Sequence, residues 1–134
     1  MSDAARLREI AYAAKAHWGY DHRLVREWAD SIDVDDGRIL LVEEGGWASL
    51  MPQGEVCVLE DLWVEPGSMG RGLGTWLFRR VEERARELGA VRLEWEAEPN
   101  AVGFYEKLGG RYLRDSEASE WGRVLPVMGV SLDE

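Results

Sequence analysis

Apolar residues recur at three- and four-residue spacing over residues 3–18, where Leu7, Ile10, Ala11, Ala14 and Trp18 form one stripe. That period predicts an amphipathic helix, stopped by Gly19. Asp21 then caps a second helix with Leu24, Val25 and Trp28 on its inner face. After an acidic turn at residues 33–37 the period changes. Residues 38–43 and 47–51 read as two strands, joined through Glu44-Gly45-Gly46 as a hairpin. Pro52-Gln53-Gly54 turns the chain into a third strand. There Val56, Val58, Glu60, Leu62 and Val64 alternate with Cys57, Leu59, Asp61 and Trp63. Both sets are largely apolar, as in a strand covered on both faces.

Glu65-Pro66-Gly67-Ser68 breaks that strand, and Gly70-Arg71-Gly72-Leu73-Gly74 leads into a helix. Leu73, Leu77, Val81, Ala85 and Leu88 make its apolar stripe, opposite the Arg and Glu residues. Gly89 ends it. Residues 91–96 form the next strand, with Val91, Leu93 and Trp95 on one face and Arg92, Glu94 and Glu96 on the other. A short helix runs from Pro99 through Leu108. Residues 111–114 are a strand, 115–120 a polar loop, and 124–132 a last strand in which Pro126 implies an edge or a bulge. Helices alternating with strands around one mixed sheet make an α/β fold.

The 134 residues suit a single domain with a sizeable core. The chain is 46% hydrophobic and 31% charged, an ordinary globular balance. No apolar run is long enough for a membrane span, and no signal-peptide core is visible. The formal net charge of −10, with no Lys/Arg block, disfavours nucleic acid and anionic membranes. It suits a cationic partner, or plain solubility. The single cysteine, Cys57, excludes an internal disulfide and a cysteine metal cluster, so a reducing cytoplasm is the expected location. Cys57 reads as a small apolar filler. His17 and His22 read as surface or capping residues rather than metal ligands. Most of the seven Trp fall at core periods, while Trp18 and Trp121, near loops, are candidates to line a pocket.

A strand, a glycine-rich turn and a helix start make an anion site. The first backbone N–H groups of a helix lack intrahelical partners, and the dipole's positive end points at the turn. The alternative is a structural tight turn. A P-loop is absent, because no Gly-Lys-Ser/Thr follows at the right spacing. A dinucleotide fingerprint, G-x-G-x-x-G, fails too, since after Gly70 and Gly72 its last slot holds Thr75, and about half the chain precedes the motif.

The stretch does resemble the GNAT superfamily of acetyl-coenzyme A-dependent N-acetyltransferases. Val64-Glu65-Pro66 matches its V-x-P step. Met69-Gly70-Arg71-Gly72-Leu73-Gly74 matches its Q/R-x-x-G-x-G/A loop. The segment from Glu98 through Asn100, Ala101, Phe104, Tyr105 and Lys107 to Gly109-Gly110 matches its second, N-x-x-A-x-x-F/L-Y-x-K-x-G-F-like signature. Three slots differ: Met69 replaces Gln/Arg, Glu98 replaces Asn, and Gly110 replaces Phe. Asn100 is the candidate to take the missing Asn role, and Tyr112 the candidate to replace the lost aromatic.

The resemblance implies one domain with a mixed, mostly antiparallel sheet flanked by helices, its first family strand missing or vestigial. It implies acetyl-coenzyme A held by the backbone of residues 70–75, namely Gly70, Arg71, Gly72, Leu73, Gly74 and Thr75. Met69, Asn100 and Tyr105 join them, with no metal required. A backbone N–H at Trp63 or Val64 would donate to the thioester carbonyl. Tyr105 would protonate the leaving thiolate; its other reading is core filler. The first two helices and the turn holding Trp18 and Tyr20 would help select the acceptor.

Removing a proton from a lysine-like ammonium, pKa about 10.4, costs roughly 4–5 kcal/mol at neutral pH. A carboxylate is the usual remedy. Glu60 and Asp61 are the candidate bases, because acids inside an apolar strand are costly unless used or paired. They point to opposite faces, so at most one faces substrate, and the alternative is a carboxylate paired with an Arg. Glu96 and Glu98 are further candidates and suit a cationic substrate. The expected function is acetyl transfer to a primary amine of a small cationic or amino-acid-like acceptor. A protein amine, a non-catalytic acyl-coenzyme A sensor and another nucleotide binder are the alternatives. A C-terminal edge strand would allow a homodimer.

Overall fold

A computed structural model of the chain describes residues 3–34, 38–118 and 122–132. Its elements are α1 (Asp3–Ala16), α2 (His22–Asp30), β1 (Ile39–Glu43), β2 (Gly46–Gln53), β3 (Val56–Val64), α3 (Leu73–Glu87), β4 (Arg92–Glu96), α4 (Val102–Lys107), β5 (Arg111–Asp115) and β6 (Pro126–Ser131). Short 3-10 turns at Pro66–Ser68 and Pro99–Ala101 lead towards α3 and α4. No strand precedes α1 among the described residues. Trp121 and the turn at 35–37 lie outside them.

The fold is α/β, with one six-stranded mixed sheet in the order β1-β2-β3-β4-β6-β5. Two-residue connections join β1 to β2 and β2 to β3, which only antiparallel neighbours allow. The β3–β4 pair is parallel, bridged by the α3 crossover, and β4–β6 and β6–β5 are antiparallel. The last strand is therefore interior, which corrects its reading as an edge. Pro126 is tolerated because it is the first residue of β6, where its missing N–H costs little. The register irregularity lies opposite, between Tyr112 and Arg114 on the true edge strand β5. The sheet edge near the C-terminus is thus β5 rather than β6.

The chain forms two compact units: Met1–Ser49 with Asp61–Val81, and Leu50–Glu60 with Glu82–Glu134. In the first, Leu7, Ile10, Ala11, Ile32, Val34 and Trp47 form the core, and Trp28, Leu40 and Trp63 pack against it. Trp47 is fully buried and satisfies its indole N–H on the Leu7 carbonyl at 2.8 Å. Asp21 caps α2 as expected, accepting from the backbone N–H groups of Arg23 and Leu24. The inner face of α2 differs: Val25 is buried and Trp28 half-buried, but Leu24 is exposed.

In the second unit, Leu93 and Trp95 of β4 and Met128 of β6 are buried, while Val91 lies before β4 and is exposed. Glu94 is buried too, contrary to a simple in–out alternation. Its carboxylate accepts from Arg92 Nε at 2.6 Å and Arg114 Nη2 at 2.8 Å. Burial pushes this carboxyl up, but the hydrogen bonds from Arg114 and Arg92 outweigh it and hold the group below the usual range. A depressed carboxylate adds stability above its unfolded-state pKa, and that stability is lost as pH falls through the folded-state value. Glu94→Gln should therefore destabilise the protein at neutral pH, with the gap to wild type closing on acidification below about pH 4. Urea titrations at both pH values check this; an equal gap at both would count against it.

Candidate functional site

The end of β3 and the start of α3 are joined by a turn whose shape depends on glycine. Glu65 N–H bonds the Gly45 carbonyl at 2.8 Å, and Ser68 N–H bonds the Glu65 carbonyl at 2.9 Å. Gly70 and Gly72 then adopt φ of 79° and 82°, left-handed values that side chains resist. A Cβ on either would meet nothing within 4 Å, so conformation rather than crowding demands glycine, and the outer face of the turn is open. The first helical bond runs from Trp76 N–H to the Gly72 carbonyl at 2.9 Å. The N–H groups of Leu73, Gly74 and Thr75 precede it and have no intrahelical acceptor. This arrangement fits an anionic group. Arg71 and Thr75 are exposed beside it, and Met69 and Gly74 are half-buried.

On β3, Asp61 is buried and Glu60 exposed, on opposite faces as the strand period requires. Asp61 Oδ2 accepts from Arg38 Nη1 at 2.8 Å and from Ser49 Oγ at 2.7 Å; Oδ1 accepts from Trp63 Nε1 at 3.1 Å. Trp63 meets Trp28 edge to face, with centroids 4.9 Å apart. The Lys15 ammonium lies 4.2 Å over Trp28 and 6.0 Å from the centre of Tyr20. Tyr20 is half-buried and Trp18 exposed, its ring beside His17. The parallel ladder of β3 with β4 covers Val56, Cys57 and Val58 opposite Arg92, Leu93 and Glu94, and β3 continues to Val64 beyond it.

In the second unit α4 carries Tyr105, only 8% exposed, with its ring 4.9 Å from Trp95 and 5.1 Å from Phe104. Burial pushes the phenol well above its ordinary range, so it stays protonated at neutral pH. Glu96 is exposed at the end of β4. Glu98 is half-buried and accepts from Asn100 Nδ2 at 3.0 Å.

Residues 4–110 match the family model for Acetyltransferase (GNAT) family. The chain belongs to the GNAT acetyltransferase family. It is 33% identical over 114 residues to glucosamine 6-phosphate N-acetyltransferase 1 of Oryza sativa subsp. japonica, covering 81% of this chain and 67% of that protein. Its fold superposes with a TM-score of 0.76 on a GCN5-related N-acetyltransferase from Rhodopseudomonas palustris, at 27% identity, covering 96% of this chain and 89% of that one. An aminoglycoside 6'-N-acetyltransferase complexed with coenzyme A shares the fold at TM-score 0.72 and 16% identity, covering 98% and 91%. Membership of the GNAT family makes this chain an acyltransferase.

Two GNAT slots that differ in this sequence are explained by neighbours. At the Asn slot, Glu98 accepts from Asn100 Nδ2, so the two side chains engage each other. At the Phe slot, Tyr112 does not restore the aromatic: it is 60% exposed, and its hydroxyl donates to Asp115. Trp95 takes the space instead. A Cβ on Gly110 would lie 2.9 Å from Trp95 Cζ2 and 3.0 Å from the Tyr105 carbonyl. Arg38 and Ser49 were not singled out from the sequence, although a buried acid on β3 signals that such partners exist. Gly110→Ala should cost about 1–3 kcal/mol by overpacking this corner. Chemical denaturation measures it, and an unchanged midpoint would show the corner has slack.

Proposed function

We propose that the protein transfers acetyl from acetyl-coenzyme A directly to a primary amine of a small acceptor that is cationic or amino-acid-like. The observation that carries this reading is the Gly70–Gly72 turn, with its open face, leading into the first N–H groups of α3, which have no intrahelical acceptor. Those donors, with Arg71 beside them, suit a pyrophosphate. Met69, which lacks the polar side chain common in that slot, contributes only backbone and packing.

The amine nitrogen attacks the thioester carbonyl; the C–N bond forms, and the C–S bond breaks as the tetrahedral intermediate collapses. A backbone N–H at Trp63 or Val64 stabilises the oxyanion, a contribution of about 3 kcal/mol when preorganised. The proton on the amine passes to a carboxylate. Asp61 is engaged by three donors, so the candidates for that role are Glu60 on β3, Glu96 at the end of β4 and Glu98 after it. The Tyr105 hydroxyl, kept neutral by burial, donates a hydrogen bond to the departing thiolate and passes its proton to it. The phenolate is reprotonated by the proton released from the amine. The burial that keeps the phenol neutral also makes it a weaker acid. Asn100 orders Glu98, and Trp18 and Tyr20 contribute to acceptor choice. The engagement of Asp61 also favours a second reading, an acyl-coenzyme A sensor without a productive base.

Among the described residues no helix is long and apolar enough to cross a membrane. The one cysteine is buried and its thiol is pushed up by desolvation, which counts against a redox role for Cys57. The cytoplasmic location proposed for the protein rests on the single cysteine of the sequence.

Calorimetric titration with acetyl-coenzyme A, followed by an amine panel read by thiol release, tests the proposal. Binding with release supports transfer, binding without release supports the sensor, and no binding removes both. Gly72→Ala should weaken coenzyme binding about tenfold, because a side chain there costs about 1–2 kcal/mol of strain. Tyr105→Phe should leave that affinity near wild type and lower turnover by about 100-fold. Equal losses in affinity and turnover for Tyr105→Phe would instead mark the tyrosine as packing.

A further inference from the structure

Asp61 is the buried acid of the first unit, and its surroundings define a use other than proton transfer. Arg38 and Ser49 hold one carboxylate oxygen, and the Trp63 indole N–H holds the other. The Arg38 side chain is itself only 17% exposed, so solvent screens this pair little. These donors take three of the carboxylate's about four lone-pair sites, so an incoming amine proton would compete with partners already in place.

Trp63, in turn, is fixed from three directions. Its indole N–H is on Asp61. Its ring stands at 69° to the Trp28 ring, 4.9 Å between centroids. Its carbonyl presses against Gly46, where an added Cβ would lie 2.9 Å from that oxygen and 3.1 Å and 3.2 Å from Leu77 and Leu73 of α3. A residue constrained in side chain, ring face and backbone at once sets the position of the strand end that carries it.

We propose that Asp61 is a positioning residue for acetyl transfer: through the Trp63 indole it fixes the end of β3, where the oxyanion donor lies, while a different carboxylate takes the amine proton. The inference rests on the acetyl-transfer reading above.

Steady-state kinetics on four variants test it. Asp61→Ala and Trp63→Phe should each lower kcat/KM about tenfold, and the double variant should fall no further than Asp61→Ala, because the Asp61–Trp63 bond that Trp63→Phe removes is already lost in Asp61→Ala. Asp61→Asn keeps an oxygen for the indole N–H and should lose only about threefold, with the acid limb of the pH profile retained. If Asp61→Asn is as inactive as Asp61→Ala and the acid limb disappears, Asp61 is the base and the proposal is overturned. Trp63→Phe at the wild-type rate would also overturn it. That variant leaves Arg38, Asp61 and Ser49 intact, so it remains decisive if Asp61→Ala does not fold. Should wild type release no thiol with any amine, the acetyl-transfer reading fails separately. The Trp63 indole N–H resonance still decides the positioning: displacement in Asp61→Ala with a near-native value in Asp61→Asn supports it, and no displacement in Asp61→Ala refutes it.

Discussion

A carboxylate buried in the middle of an apolar strand is the constraint around which the first unit is arranged. Taking Asp61 out of water costs several kcal/mol, and that cost is offset only if every donor arrives in good geometry. Arg38 just before β1, Ser49 on β2 and Trp63 on β3 all converge on it. The register of these segments is thereby specified more tightly than hydrophobic packing alone would require. A slip of one residue would put Asp61 on the other face, away from the Arg38 guanidinium and the Ser49 hydroxyl.

The second unit solves a related problem with a different exchange. Glu94 lies on β4 beside the apolar Leu93 and Trp95, and two arginines whose outer ends reach solvent neutralise it. Behind the strand, the large indole of Trp95 and the absent side chain of Gly110 are complementary in volume. The tyrosine of α4 is buried against this indole. The corner therefore sets the polarity around the Tyr105 hydroxyl as well as the packing of the strand.

The parts of the fold that local chemistry dictates were legible in the sequence. Val64-Glu65-Pro66 followed by Gly70 and Gly72 specifies a strand, a break and two left-handed residues with no reference to the rest of the chain. Asp21 capping α2 is equally local. What depends on distant partners was not legible. Nothing in residues 124–132 says that β6 enters between β4 and β5, because the choice is made by the apolar face it must cover. Leu24 and Trp28 share one face of α2 by period, and spacing does not say that Trp28 meets the Trp63 ring while Leu24 stays exposed. Replacement of an aromatic by Trp95 rather than Tyr112 is a matter of three-dimensional volume that spacing does not encode. For the site, the glycine turn was readable, whereas the engagement of Asp61 was not: an acid in a strand signals a partner or a function, and spacing does not distinguish them.

The chain passes from one compact unit to the other three times, within β2, within β3 and within α3. Neither unit is a contiguous stretch of sequence, so neither can be excised, exchanged or released by a single cut. During synthesis the first unit stays incomplete until the opening turns of α3 have emerged, although α1 and α2 are made at the outset. The Gly70–Gly72 turn thus lies in one of the last pieces that the first unit needs. A chain interrupted before it would have most of its first core but could not finish it.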